Sequence, residues 1–295
     1  MTITALREGE RLSEFIEFPW TVYRDDPLWV PPLREQVFHQ LSGASVFSRY
    51  GRTQLFMCES QGRVAGRIAA LVNTRLRDRN DRVIGQLGFF ECLDDPAAAS
   101  DLVEAGLEWL RAQGAREVLA PINGGAHRTH RLQTRGFDRQ PFLFEPRNPP
   151  YYPALLERCG FTVIHRWFSY EMTRAQAASR LHQFEHVMGR RPPHGHIEEL
   201  RPEQTLETLT RIYRLLDGCW TGHIGYSSLD FEEFAEVFGG PLSIMGSGNI
   251  SVFVRNERDS GLAFVYPDYV ADMRALQGHA DCWGQWLGRS TPDSP

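Results

Sequence analysis

Hydrophobic and polar positions along this chain alternate between two periods. Near residue 54 the period is close to two. Gln54 to Ser60 predicts a strand, Gln61-Gly62-Arg63 its turn and Val64 to Val72 the return strand, with Ile84 to Cys92 (IGQLGFFEC) a third. The period then lengthens. Leu102, Val103, Gly106, Leu107 and Leu110 form one apolar stripe at helical spacing. Asp94 or Asp95 suits its N-cap, Pro96 its first position and Gly114 its C-terminal stop. Ala115 to Pro121 (AREVLAP) follows as a buried strand, so strand, helix, strand predicts a parallel crossover.

The flanks are less regular. Residues 13 to 24 (SEFIEFPWTVYR) begin as a helix that Pro19 interrupts or kinks. A turn-rich segment follows, marked by Asp26-Pro27 and Pro31-Pro32, and then a short helix from Leu33 to Leu41. Tyr151 to Cys159 predicts a short helix stopped by Gly160, and Phe161 to Met172 one further strand or a hairpin. Ala175 to Met188 is helical in pattern until Arg190-Arg191-Pro192-Pro193 breaks it. The pattern then restarts. Ile197 to Leu200 is strand-like, Leu206 to Leu216 an amphipathic helix, and Asp230 caps another helix; Ile250 to Arg255 and Leu262 to Tyr266 form a second hairpin. This is a weak repeat at the level of elements. Domain boundaries are expected at 1–172, a connector 173–195, and 196–295, ending in a frayed tail, STPDSP.

Composition narrows the chemistry. All 32 basic side chains are arginines. Without lysine there is no Schiff-base chemistry, no Walker-type phosphate loop and no protein-kinase ATP site. Hydrophobic residues make up 42% of the chain, enough for a packed core, and there is no apolar run of spanning length. The first residues, MTITALREGERLSEF, contain no apolar leader core, so a cytoplasmic protein with no membrane partner is expected. Five scattered cysteines form neither a disulfide framework nor a zinc pattern. The net charge of -5 falls wholly in residues 173 to 295, and no nucleic-acid partner is expected. The stretch Arg75, Arg77, Arg79, Arg82 is broken by Asp78 and Asp81, which predicts a solvated loop. His182 and His186 share a helix face, but Gln183 stands where a metalloprotease helix carries glutamate, so no metal site is expected.

The element order, together with FIEFPWTVYRDDPLWVPPL (15 to 33), IGQLGFFECLDD (84 to 95) and NPPYYPALLERCGF (148 to 161), resembles the GNAT N-acetyltransferase family. The resemblance covers residues 1 to 172 well and the remainder more loosely, as a second, incomplete GNAT-like unit. It implies an α/β fold with a mixed sheet. It also implies acetyl transfer from acetyl-CoA to an amine of a small molecule or peptide; the alternative is a non-catalytic module that binds a ligand or a protein. A homodimer stays open as an assembly. The cofactor's arm would lie along Leu87, Gly88, Phe89, Phe90 and Cys92, with Asn123 nearby to hold a carbonyl or amine. Glu91 is the candidate base and Tyr152, beside Tyr151, the candidate acid. The family's pyrophosphate turn is glycine-rich and basic or amidic. The matching residues here, Leu93 to Ala98, carry two aspartates, a proline and no glycine. The residue four places before Gly160, where the family often has its acid, is Leu156. Gly284 and Gly288 are the spaced glycines a second cofactor turn would need, but no strand and helix frame them.

Overall fold

The computed structural model describes residues 1–189, 194–200, 205–243 and 250–279. The breaker at Arg190 to Pro193 and the segment beyond 279, with Gly284 and Gly288, lie outside them. The chain divides into two compact units that interleave along the sequence. The first comprises Met1–Phe161, Leu216–Ile244 and Pro267–Pro295, and the second Thr162–Leu215 and Met245–Tyr266. These bounds differ from the sequence boundaries at 172 and 195.

The first unit is built on a mixed sheet. Its elements in chain order are β1 (Thr2–Ala5), α1 (Leu12–Val22), α2 (Arg34–Leu41), β2 (Gly51–Ser60), β3 (Arg63–Arg77), β4 (Val83–Cys92), α3 (Pro96–Ala112), β5 (Glu117–Leu119) and α4 (Tyr152–Arg158). The strands lie in the order β1-β2-β3-β4-β5, antiparallel throughout except for the parallel pair β4–β5, which α3 connects. The expected hairpin, third strand and crossover are all present. The hairpin turns through Gln61 and Gly62, both at positive φ (51° and 73°). A pair of left-handed residues matches the twist of the flanking strands. The strand expected over Ala115 to Pro121 shrinks to three residues at the sheet edge.

The sheet separates two apolar layers. On one face Ile68, Ala70, Val72, Leu87, Phe90 and Cys92 pack with Leu102, Val103 and Leu110 of α3 and with Tyr152 and Leu155 of α4. On the other, Leu55, Met57, Ala69, Leu71 and Phe89 pack with Leu12, Phe15 and Ile16 of α1. From Ile68 to Val72, alternation along β3 sends even-numbered residues to α3 and odd-numbered ones to α1.

Three expectations are corrected here. Pro19 does not break α1, which runs unbroken from Leu12 to Val22. Proline removes only its own N–H, and the carbonyl it leaves free finds another donor. Phe161 to Met172 forms no strand: the segment carries no regular structure and pairs with no described strand. A run of β-forming residues does not by itself make a strand, which also needs a partner to pair with. Arg75 and Arg77 also lie within β3 rather than in a solvated loop.

The second unit contains α5 (Arg174–Met188), β6 (His196–Glu199), most of α6 (Thr205–Trp220), β7 (Ile250–Arg255) and β8 (Arg258–Phe264). β6, β7 and β8 form an antiparallel sheet in that order. Leu209 and Ile212 are buried, as are Ile250, Val252 and Val254. Arg211 joins α6 to both ends of the sheet through Glu198 (2.8 Å) and Asp259 (2.7 and 3.0 Å). α7 (Phe231–Ser243) and α8 (Val270–Ala275) belong to the first unit.

Candidate functional site

A bulge in β4 organises the site. Ala69 faces Gly88, but Arg67, two residues back on β3, faces Glu91, three residues on along β4. The extra residue is absorbed at Phe89, whose φ is 50°. A bulge of this kind re-aims the side chains that follow it. The segment after β5 presses against the same place. The N–H of Ile122 donates to Leu87 O at 2.9 Å, and the N–H of Phe89 donates to Asn123 Oδ1 at 2.8 Å. A side chain at position 88 would meet Ile122 O at 2.4 Å, so only glycine fits there.

Glu91 and Tyr152 meet at the end of β4. The Tyr152 hydroxyl donates to Glu91 Oε2 at 2.7 Å and accepts from the N–H of Cys92 at 2.8 Å. The Tyr151 hydroxyl donates to the Cys92 carbonyl at 2.9 Å. The start of α4 thus grips the end of β4 at three points. The Tyr23 phenol also sits against the Glu91 carboxylate and reaches the Arg147 carbonyl at 3.2 Å. Arg147 is held by a two-point ion pair to Asp26, both contacts at 2.8 Å.

Arg67 explains why Pro19 is tolerated. Pro19 has no N–H to give the Phe15 carbonyl one turn earlier. The buried guanidinium of Arg67 donates to that carbonyl instead and lies 4.6 Å over the Phe15 ring. This fixes a cation beside Glu91 on the neighbouring strand.

The electrostatics follow from burial. Burial raises the Glu91 carboxyl above its ordinary range, while Arg67 and the hydrogen bonds from Tyr152 and Tyr23 oppose the rise. Burial, then the neighbouring Glu91 carboxylate, pushes the Tyr152 phenol well above its ordinary value. Burial pushes the Arg67 guanidinium down to about 10, where it remains charged at neutral pH. A carboxyl of raised affinity for protons beside a phenol that keeps its own is suited to moving a proton.

The structure therefore brings the sequence candidates Glu91 and Tyr152 into direct contact. Phe89, Cys92 and Asn123 lie within the same web of hydrogen bonds. Leu87 and Phe90 point into the α3 layer with their side chains. Tyr23, Arg67 and Arg147 are members that the sequence reading missed. One signal was available for Arg67, a lone cation in the apolar run VAGRIAALV. Among the described residues, no group of three His, Cys, Asp or Glu side chains is placed to hold a metal.

The turn after β4 does not fit a diphosphate. Asp95 caps α3 with its own carboxylate, accepting from the N–H groups of Ala97 (3.0 Å) and Ala98 (3.1 Å). Pro96 offers no N–H, and Asp94 adds a second carboxylate beside it. A bound anion would have to displace one negative group and lie near another. The N–H groups of Phe89 and Cys92, which an added strand-like ligand would need, already have partners.

No protein-family model matches the chain. Protein YghO of Escherichia coli (strain K12) is 32% identical over 150 residues, which are 51% of this chain and 38% of that protein. The bacterial ceramide synthase of Caulobacter vibrioides is 26% identical over 233 residues, 77% of this chain and 59% of that protein. The chain thus spans 38% and 59% of the length of these two curated relatives. Among solved structures, a putative acetyltransferase from Agrobacterium tumefaciens is 15% identical, with a TM-score of 0.37 over 58% of this chain and 100% of its own. Glucosamine-6-phosphate N-acetyltransferase from Arabidopsis thaliana is 11% identical, with a TM-score of 0.35 over 58% of this chain and 98% of its own.

Proposed function

We propose that this chain is a GNAT-like acyltransferase that forms an amide, acylating an amine at the Glu91–Tyr152 pair. The observation that carries this reading is the 2.7 Å hydrogen bond between the two side chains, beside the β4 bulge. An amine that attacks an acyl group must lose a proton, and the departing atom must gain one. Glu91, with its raised proton affinity, takes the first. Tyr152, protonated at neutral pH, supplies the second and is re-protonated through Glu91. Arg67, across the strand, limits the cost of the carboxylate charge.

The relative from Caulobacter vibrioides is named for making ceramide, which is a long-chain amide. This supports an acceptor among lipid-like amines ahead of small or peptidyl ones. Acetyl-CoA, the donor implied by the resemblance to N-acetyltransferases, would need a hold other than a diphosphate cradle at Leu93 to Ala98. A second reading, a non-catalytic binding module, is favoured by the same capped turn.

Purified chain incubated with acetyl or long-chain acyl thioesters and an amine panel, read by mass spectrometry, separates the two. Amide formation that falls about 100-fold or more in Glu91→Gln and in Tyr152→Phe supports the enzyme. No amide and no thermal shift with any donor leaves the binding module.

A further inference from the structure

Proline is the least favourable residue in a helix interior, yet Pro19 sits inside α1 and is buried there. In a regular helix each carbonyl accepts from the N–H four residues on. For the Phe15 carbonyl that residue is Pro19, which has no N–H to give. α1 therefore carries one carbonyl that its own backbone cannot satisfy.

The donor that reaches this carbonyl has an obvious partner elsewhere. Arg67 and Glu91 are register partners on the neighbouring strands β3 and β4. Opposite charges so placed attract each other and favour a direct pair. Here they form none. Among the described residues, Arg67 and Glu91 share no hydrogen bond or ion pair, and the cation acts on the carboxylate through space. Its guanidinium turns instead to α1, where it donates to the Phe15 carbonyl and lies 4.6 Å over the Phe15 ring. Each of these contacts holds a cation less strongly than a carboxylate would, so the arrangement depends on that carbonyl being free.

The other groups that face the carboxylate come from two helices. Tyr152 from α4 and Tyr23 from α1 give it hydrogen bonds, and Tyr151, also from α4, lies within its field. Arg67 supplies the cation in this set. A guanidinium bonded directly to the carboxylate would favour its charged form and make it a poorer proton acceptor.

We propose that Pro19 is a positioning residue for Glu91: by leaving the Phe15 carbonyl without a helical donor, it gives the Arg67 guanidinium an acceptor on α1 and so holds it off the Glu91 carboxylate. The link from Pro19 to Glu91 is one of geometry. Its bearing on catalysis rests on the acyltransferase reading of the Glu91–Tyr152 pair.

The test is Pro19→Ala in the full chain. The N–H so restored competes for the Phe15 carbonyl, and Arg67 turns to Glu91. The Glu91 titration is followed by NMR with the glutamate side-chain carboxyls isotopically labelled, and Glu91→Gln assigns the signal. Pro19→Ala should lower the Glu91 midpoint by about one pH unit, and Arg67→Met should raise it. The double variant Pro19→Ala/Arg67→Met should titrate like Arg67→Met alone, because Pro19 acts only through Arg67. A merely structural proline would raise the melting temperature of Pro19→Ala and leave the midpoint where it was, and that result overturns the proposal. A midpoint in the double variant that still shifts on Pro19→Ala overturns it as well. Pro19→Ala alone decides if Arg67→Met does not fold. In amide formation measured against pH, the acid limb of Pro19→Ala should move down with the midpoint. A parent chain that forms no amide defeats the acyltransferase reading only, and the NMR midpoints still decide how Arg67 is held.

Discussion

Tyr152 serves two groups at once, the backbone N–H of Cys92 and the carboxylate of Glu91. Tyr152→Phe removes one oxygen and leaves a buried donor and a buried carboxylate short of a partner. The expected cost is about 1–3 kcal/mol in urea unfolding, beyond the loss of activity. Glu91 titrates with a definite sign. Its carboxyl holds its proton above the ordinary 4.5 when folded, so stability falls as pH rises from that value through the raised one. Glu91→Gln should flatten that fall in a series of melting temperatures, and an unchanged pH slope would exclude the raised carboxyl. His127 shows the opposite sign. Buried among Glu233, Arg128 and Tyr226, its imidazole is pushed down to about 3, chiefly by burial and then by Arg128 and His130. The unfolded chain takes up a proton near pH 6.5 and the folded site does so only near 3. Stability is therefore full above 6.5 and is lost as pH falls through that window, by on the order of a few kcal/mol. His127→Leu should remove most of this acid sensitivity, measured as melting temperature between neutral pH and pH 4.

At the scale of elements, α1 and α3 were read from the sequence with different success. α3 carries its own instructions. The Asp95 cap, Pro96, the apolar stripe and Gly114, at φ 88°, all act locally and all appear in the structure. Asp95→Ala should cost about 0.5–2 kcal/mol in urea unfolding, because two N–H groups lose their acceptor. If Asp95 also keeps anions from this end of the helix, the variant should bind inorganic diphosphate more tightly than the parent, measured calorimetrically. α1 depends on a residue more than forty positions away. Nothing within SEFIEFPWTVYR supplies the donor that replaces the Pro19 N–H; Arg67 on β3 does so. The segment from Phe161 to Met172 teaches the same lesson in reverse. Its composition suits a strand, but no described strand pairs with it. The two hairpins were legible because a hairpin brings its own partner.

Over the first unit as a whole, a buried ion network ties α7 to the sheet and its loops. Fully buried Glu233 accepts from the Tyr50 hydroxyl at 2.6 and 2.7 Å. It lies 3.3 Å from Arg75 and 3.7 Å from Arg128, while Glu236 binds Ser45 and the N–H of Val46. Asn73 adds a hydrogen bond to Ser227 at 2.9 Å. Glu233→Ala would leave two guanidiniums facing a buried gap, with an expected loss of about 3–5 kcal/mol of stability. Unfolding by circular dichroism measures it. Glu233→Gln retains the Tyr50 hydrogen bond and should cost less.

Local chemistry explains which parts of this chain could be read in advance. The hairpins, α3, the short α4 and the candidate pair Glu91 and Tyr152 were visible because periodicity, caps and turn residues act over a few positions. The aspartates of the turn after β4 were equally plain, and so was their role as a cap. The tertiary structure alone decided that Glu91 and Tyr152 touch, since a one-residue bulge at Phe89 sets which way Glu91 points. It also decided that Arg67 and Tyr23 join them, that Asn123 braces the bulge, and that Glu233 anchors a helix. Those contacts join residues tens to more than a hundred positions apart. No pattern along the chain encodes such distances, and only packing brings the groups together.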